Sequence, residues 1–314
     1  MMIIVIILIS LAIITGLYVA INWAPELTVE ELRGRWGNAP SVFLDVAGKK
    51  VHLRDEGPRN DPTPLVLLHG TGHSLHTWDG WVAALKGARR VIRFDLAGCG
   101  LTGPAADDRY SIDDDVRLVV AILDRLGIDR CVLGGNSLGG LIAWRTALEH
   151  PERVEKLILV DADGYRIAPK SVPLAFRFAR LPMSYWLISH TLPRGLVEQT
   201  LRNVYGDPTK VTAEAMLRSR ELTRREGNRR AFVLRARQEP QLGDLSHRIA
   251  ELKMPTLIIW GGRDRLIPRE SAQRFHRDIA GSALVMFEDL GHMPQEEDPG
   301  RTAEAVQRFL ASPA

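Results

Sequence analysis

The sequence is short of cysteine, of internal repetition and of excess charge. Cys99 and Cys131 are the only two cysteines, with no C-x-x-C pair or Cys/His cluster around them, so neither a disulfide framework nor a structural zinc site can be built. Lys and Arg number 41 against 38 Asp and Glu, a net charge of +3 that is too small to mark a nucleic-acid binder. No low-complexity tract or repeat is present. With 45% apolar and 25% charged residues among 314, a disordered, collagenous or coiled-coil chain is excluded and a large core can be buried. Nothing in the composition calls for a cofactor or a metal.

Charge is missing altogether from Met1 to Trp23, where Met2–Ile21 is an apolar run broken only by Ser10, Thr15 and Gly16. Roughly 20 apolar residues are what a helix needs to cross the hydrocarbon layer. Residues 1–24 are therefore expected to be an uncleaved single-pass membrane anchor. A secretory signal would want a basic leading region and a shorter run, and the small residue at its end, Ala24, is followed by Pro25. Arg33 and Arg35 on the C-terminal flank favour a cytoplasmic position for the rest of the chain.

Residues 25–41 read as a linker. Beyond it, short apolar runs alternate with helical patterns: 42–46 and 51–54 as a hairpin around Gly48, then 64–68, 91–94, 131–133, 154–160, 256–260 and 283–287 as strands. Ser111 with Asp114 opens a helix whose apolar positions run from Ile112 to Leu126. This rhythm implies an α/β fold with a doubly wound, mostly parallel sheet. It breaks between 163 and 252, where helical segments punctuated by Pro173, Pro182, Pro193 and Pro208 suggest a helical cap. The core is then expected in two parts, 42–162 and 253–314.

The chemistry starts at Gly135-Asn136-Ser137-Leu138-Gly139, which lies between a strand and a helix. A sharp turn there lifts the Ser137 hydroxyl above the carboxyl ends of the strands, and glycines are needed because side chains would collide. A serine needs a base, and the base needs an orienting carboxylate. Asp264, after the 256–260 strand, and His292, after the 283–287 strand, fall at the same edge of the sheet. Asp161 is the rival acid, and Asp95 is expected to order its loop. The oxyanion calls for two N–H donors: Leu138 beside the nucleophile and Thr71 in the loop after 64–68, with Gly72 as the substitute. His69 and Gly70 support that loop. His73 and His76 line the pocket or face solvent.

With His69-Gly70, the Asp95–Gly100 loop, the G-N-S-L-G-G turn, Gly261-Gly262-Arg263-Asp264 and Gly291-His292-Met293-Pro294 in place, the chain from Val42 onward resembles an α/β-hydrolase. The resemblance implies a Ser137–Asp264–His292 triad acting through an acyl-enzyme. Ala97 departs from the proline usual at that place, and Cys99 beside it reads as a packing residue. The G-N-S-x-G-G turn is similar to that of carbon–carbon bond hydrolases acting on meta-cleavage products. Their Gly-Pro-Gly loop is Gly72-His73-Ser74 here, however, and their aromatic residue after the histidine is Met293. A carboxylic ester of a small hydrophobic molecule is the expected substrate, with carbon–carbon cleavage second and a non-catalytic binding protein third. A fluorophosphonate label on Ser137 separates the last from the others.

Phe176, Phe178, Met183, Tyr185, Trp186, Leu187, Phe232 and Leu234 are candidates for a hydrophobic tunnel in the cap. From Asp163 to Ala250 there are 14 Arg and 2 Lys against 8 acidic residues, which suggests that Arg224, Arg225, Arg229 and Arg230 face anionic headgroups. The oligomeric state is left open.

Overall fold

A computed structural model of the chain describes residues 2–165, 174–179, 181, 184–238 and 245–312. Its first helix, α1 (Met2–Asn22), is 21 residues long, and none of the residues in its apolar stretch is buried. The next segment, expected to be a linker, contains a second helix, α2 (Val29–Trp36). A capping box starts it: Thr28 Oγ1 accepts the Glu31 N–H at 3.2 Å, and Glu31 Oε2 accepts the Thr28 N–H at 2.8 Å. Leu32 and Trp36 then anchor it against Leu101 and Leu222.

All eight expected strands form, in one sheet. β1 (Val42–Val46) and β2 (Lys49–Glu56) make the hairpin, and Ala47 and Gly48, at φ 48° and 76°, supply the paired left-handed conformations that a two-residue turn requires. Next come β3 (Leu65–Leu68), α3 (Asp79–Leu85), β4 (Val91–Phe94), α4 (Ile112–Arg125), β5 (Cys131–Asn136), α5 (Leu138–Glu149) and β6 (Val154–Val160). Among the described residues, five α-helices are then inserted: α6 (Leu174–Ala179), α7 (Ser184–His190), α8 (Arg194–Val204), α9 (Ala213–Thr223) and α10 (Asn228–Gln238). The chain closes with β7 (Thr256–Gly261), α11 (Arg269–Asp278), β8 (Ala283–Phe287), α12 (Pro294–Glu297) and α13 (Pro299–Ala311).

The strand order is β1-β2-β4-β3-β5-β6-β7-β8, antiparallel through β4 and parallel from β4 to β8. Both faces of the parallel part are covered. In β3, Val66 and Leu68 join one core with Ile92, Val119 and Ile142, while Leu65 and Leu67 join the other with Trp78, Trp81 and Val306. Because the chain runs from β3 out to β4 and then back across β3 to β5, the loops after β3 and β5 part at the carboxyl edge and leave a crevice there. The helices inserted between β6 and β7 supply the residues that close this crevice.

Candidate active site

Ser137 sits between β5 and α5 at φ 55° and ψ −118°, a strained conformation for a residue with a side chain. The turn closes only because its neighbours are glycines. A Cβ on Gly135 would lie 2.1 Å from the Gly139 oxygen, and one on Gly139 would lie 2.2 Å from the Leu68 oxygen. The Ser137 N–H donates to Val160 at 3.1 Å, and Asn136 Nδ2 donates to the carbonyls of both Val160 and His292, at 3.1 and 3.0 Å. Asn136 thus ties the serine turn to the histidine loop, a role that the sequence pattern does not reveal.

His292 Nδ1 donates to Asp264 Oδ2 at 2.7 Å, which leaves Nε2 as the free basic nitrogen. Both residues are buried and lie after the strands from which they were expected. Asp264 Oδ1 accepts the backbone N–H groups of Leu266 and Ile267 at 2.7 and 3.1 Å, so both of its oxygens accept hydrogen bonds and its orientation is fixed. Asp161 does not bond the imidazole. Its Oδ1 accepts the Gly261 N–H at 3.0 Å, and its carboxyl lies with Asp264 and His292 in a cluster within 4.8 Å. Burial first, and then the Asp264 charge, push the Asp161 carboxyl well above the ordinary carboxylate range, so it carries its proton. Both Asp264 oxygens are already engaged by hydrogen bonds, and Asp161 Oδ2 is buried with no hydrogen-bond partner among the described residues.

Glu297 does not stand out in the sequence, where it is one of several acids. Its Oε2 accepts the N–H groups of Gly206 and Gly291 at 2.9 and 2.8 Å, and its Oε1 accepts that of Asp207 at 2.8 Å. It therefore fastens the end of α8 to the loop that carries His292. Only the folded chain brings 206 and 291 together.

His69 and Asp95 behave as supports. His69 Nδ1 donates to the Gly70 carbonyl at 2.8 Å and its Nε2 accepts the Leu96 N–H at 3.0 Å, a neutral tautomer that burial favours. Asp95 accepts from Leu75, Leu101 and His52 at 2.7, 2.8 and 2.7 Å. The loop then turns at Gly70–His73, with the His73 N–H on the Gly70 carbonyl at 3.2 Å and Gly72 at φ 73°. Cys99 is buried, and its thiol is pushed up to about 11 chiefly by burial, as befits a packing residue. His76 is enclosed, bonding Ser74 and the Trp36 carbonyl.

Thr71, Gly72, His73, Ser137, Leu138 and His292 share one cavity of about 610 Å³. Its remaining wall comes mainly from α7 to α10, and Tyr18 of α1 also lines it. Of the tunnel candidates, Phe178, Leu187 and Phe232 line it; Tyr185, Trp186 and Leu234 do not, and Met183 and the Phe176 side chain lie outside the described residues. The four arginines expected to face headgroups divide. Arg229 is 2% exposed and lines the cavity, Arg230 pairs with Asp108, Arg225 bridges to Leu27 and donates to the Glu226 carbonyl, and Arg224 donates to the Pro25 carbonyl at 2.9 Å.

Residues 63–299 match the family model described as alpha/beta hydrolase fold. A protein of Burkholderia vietnamiensis named 2-hydroxy-6-oxononadienedioate/2-hydroxy-6-oxononatrienedioate hydrolase is 32% identical over 280 residues, 86% of this chain and 94% of its own length. The structure is similar to a meta-cleavage product hydrolase from Pseudomonas fluorescens IP01, with TM-score 0.75 and 28% identity over 86% of this chain and 97% of that one. These names belong to the carbon–carbon class that the sequence motifs place second. A likeness of fold alone, with TM-score 0.72 and 24% identity, extends over 98% of this chain and 96% of a bacterial membrane phospholipase A.

Proposed function

The chain belongs to the α/β hydrolase fold family and is a hydrolase, and from that premise we propose that it cleaves carboxylic esters of membrane-borne amphiphiles through a Ser137–Asp264–His292 triad. One observation carries the choice of substrate: Tyr18, within the apolar helix α1, lines the same cavity as Ser137. A cavity walled in part by a membrane-anchoring helix takes its substrate from the bilayer, where an ester with an apolar chain partitions and a dicarboxylate does not. In this reading residues 1–24 are the anchor, 42–162 and 253–314 the hydrolase core, and 163–252 the cap.

Ser137 Oγ attacks the ester carbonyl carbon while His292 Nε2 takes its proton. Charge developing on the carbonyl oxygen is met by the N–H groups of Leu138 and Thr71. The intermediate collapses, and the departing alkoxide takes the proton from His292. Water, deprotonated by the same imidazole, then attacks the acyl-serine, releasing the acid and restoring Ser137. Asp264 remains ionised throughout and stabilises the imidazolium.

A second reading, hydrolysis of a carbon–carbon bond, is favoured by the relatives at 28–32% identity. Both are tested by assaying the full chain in detergent against nitrophenyl esters of increasing acyl length beside a vinylogous diketone acid. Ester turnover that rises with chain length is expected. Faster turnover of the diketone would overturn the ester reading and establish the second. In either case Ser137→Ala should lower kcat by about 10⁴-fold or more.

A further inference from the structure

Arg229 is a cavity-lining cation whose guanidinium forms no ion pair among the described residues. It lies in the first turn of α10 on the face shared with Phe232 and Ala236, at i, i+3 and i+7, and all three line the cavity. Its side chain is 2% exposed, and its Nε and Nη1 are shut off from solvent with no hydrogen-bond partner. The other enclosed arginines of the insertion are neutralised. Arg235 grips Asp115 with both Nη atoms, at 2.5 and 3.2 Å, and Arg218 pairs with Glu296. Among the described residues, no ion pair joins Arg229 to a carboxylate.

Its position in the fold says where a partner would come from. The start of α10 is the place at which the chain leaving α1 docks, with the Glu226 N–H on the Leu27 carbonyl at 2.9 Å and the Gly227 N–H on Glu26 Oε1 at 3.0 Å. The Glu26 charge acts on Arg229, but no ion pair joins the two, and Glu26 Oε1 accepts the Gly227 N–H. A guanidinium taken out of water without an acceptor is costly to a fold, and its planar fork fits two oxygens of an oxyanion.

We propose that Arg229 is an anion-binding subsite at the α1 end of the cavity, for the carboxylate or phosphate group of an amphiphile whose apolar chain lies along Phe232 and Leu187. The inference rests on the reading of this cavity as the substrate's, but its test involves no turnover.

Binding of decanoate, decyl phosphate and decanol to the full chain in detergent, carrying Ser137→Ala to prevent chemistry, is compared with and without Arg229→Gln. The anionic probes should bind the Arg229 form at least tenfold more tightly than the Gln form, with decanol binding the two equally. Preference for decyl phosphate identifies a headgroup as the source of the anion, and preference for decanoate identifies a carboxylate; either supports the subsite. Arg229→Lys should keep part of the preference. Without ligand, Arg229→Gln should raise the thermal midpoint, since it removes an uncompensated buried charge, whereas a structural arginine would lower it. A lowered midpoint, or equal binding of all three probes by both forms, overturns the proposal.

Discussion

Two carboxyl groups below His292 differ in their proton. Asp264 accepts three hydrogen bonds, from the imidazole and two backbone N–H groups, while Asp161 has one backbone donor and the neighbouring Asp264 charge. Asparagine imitates a protonated carboxyl in shape and in its ability to donate, but it cannot stabilise an imidazolium. Asp264→Asn should therefore lower kcat by about 10⁴-fold with the fold intact, and Asp161→Asn by less than about tenfold. Steady-state kinetics of the two variants decide this, and the reverse order would move the acid to the end of β6.

His76 makes a stability prediction at the same scale. It is enclosed, and burial brings it down to about 3 from the 6.5 of an open histidine. Between those values the unfolded chain binds a proton that the native one refuses. Stability is thus full above about pH 6.5 and falls on acidification toward pH 3, at up to about 1.4 kcal/mol per pH unit. His76→Gln should reduce the slope of unfolding free energy between pH 6 and 4 by about that amount, measured by urea titration. An unchanged slope would show that His76 titrates alike in both states.

At the scale of elements, α2 joins the start of the chain to the insertion. Trp36 Nε1 donates to Glu221 Oε2 of α9 at 2.7 Å, and its ring packs with Leu101 and Leu222. Thr28→Ala, which removes the cap, should cost roughly 0.5–2 kcal/mol. Trp36→Ala, which empties the contact, should cost roughly 3–5 kcal/mol; thermal unfolding of both variants tests the ranking. A Thr28 variant as damaging as the Trp36 one would mean that the cap, not the packing, holds the helix.

The strands are legible in the sequence because most are short apolar runs with their own turn signals. The turn at Ser137 is legible because its glycines are a local steric need. α2 escapes a sequence reading although Thr28-Val29-Glu30-Glu31 carries a capping box, since eight residues with Gly34 among them show too little apolar period. Glu297, Asn136 and the proton on Asp161 act between segments far apart in sequence. Arg229 groups with surface arginines for the same reason, because charge along the chain does not tell which face of a helix turns inward.

For the whole molecule, α1 and the hydrolase domain are not joined by a loose tether. The Leu192 N–H donates to the Asn22 carbonyl and the Ala24 N–H to the His190 carbonyl, both at 3.0 Å, while Trp23 bridges to Thr191. The domain is fixed to the end of an exposed apolar helix of 21 residues, about 30 Å long and so matched to a bilayer. With α1 in a bilayer, as proposed, an ester chain would pass from lipid to cavity without crossing water, a transfer that costs about 0.8 kcal/mol per methylene exposed. A chain beginning at Glu26 should consequently be soluble without detergent and hydrolyse short esters within about threefold of the full chain, because Ser137, Asp264 and His292 draw nothing from α1. On long-chain esters held in vesicles it should fall at least tenfold behind the full chain reconstituted in the same vesicles, since a difference of about 1.4 kcal/mol suffices for that ratio and two methylenes supply it. Equal rates of the two forms on vesicle-borne ester would detach the cavity from the membrane and leave α1 as an anchor alone.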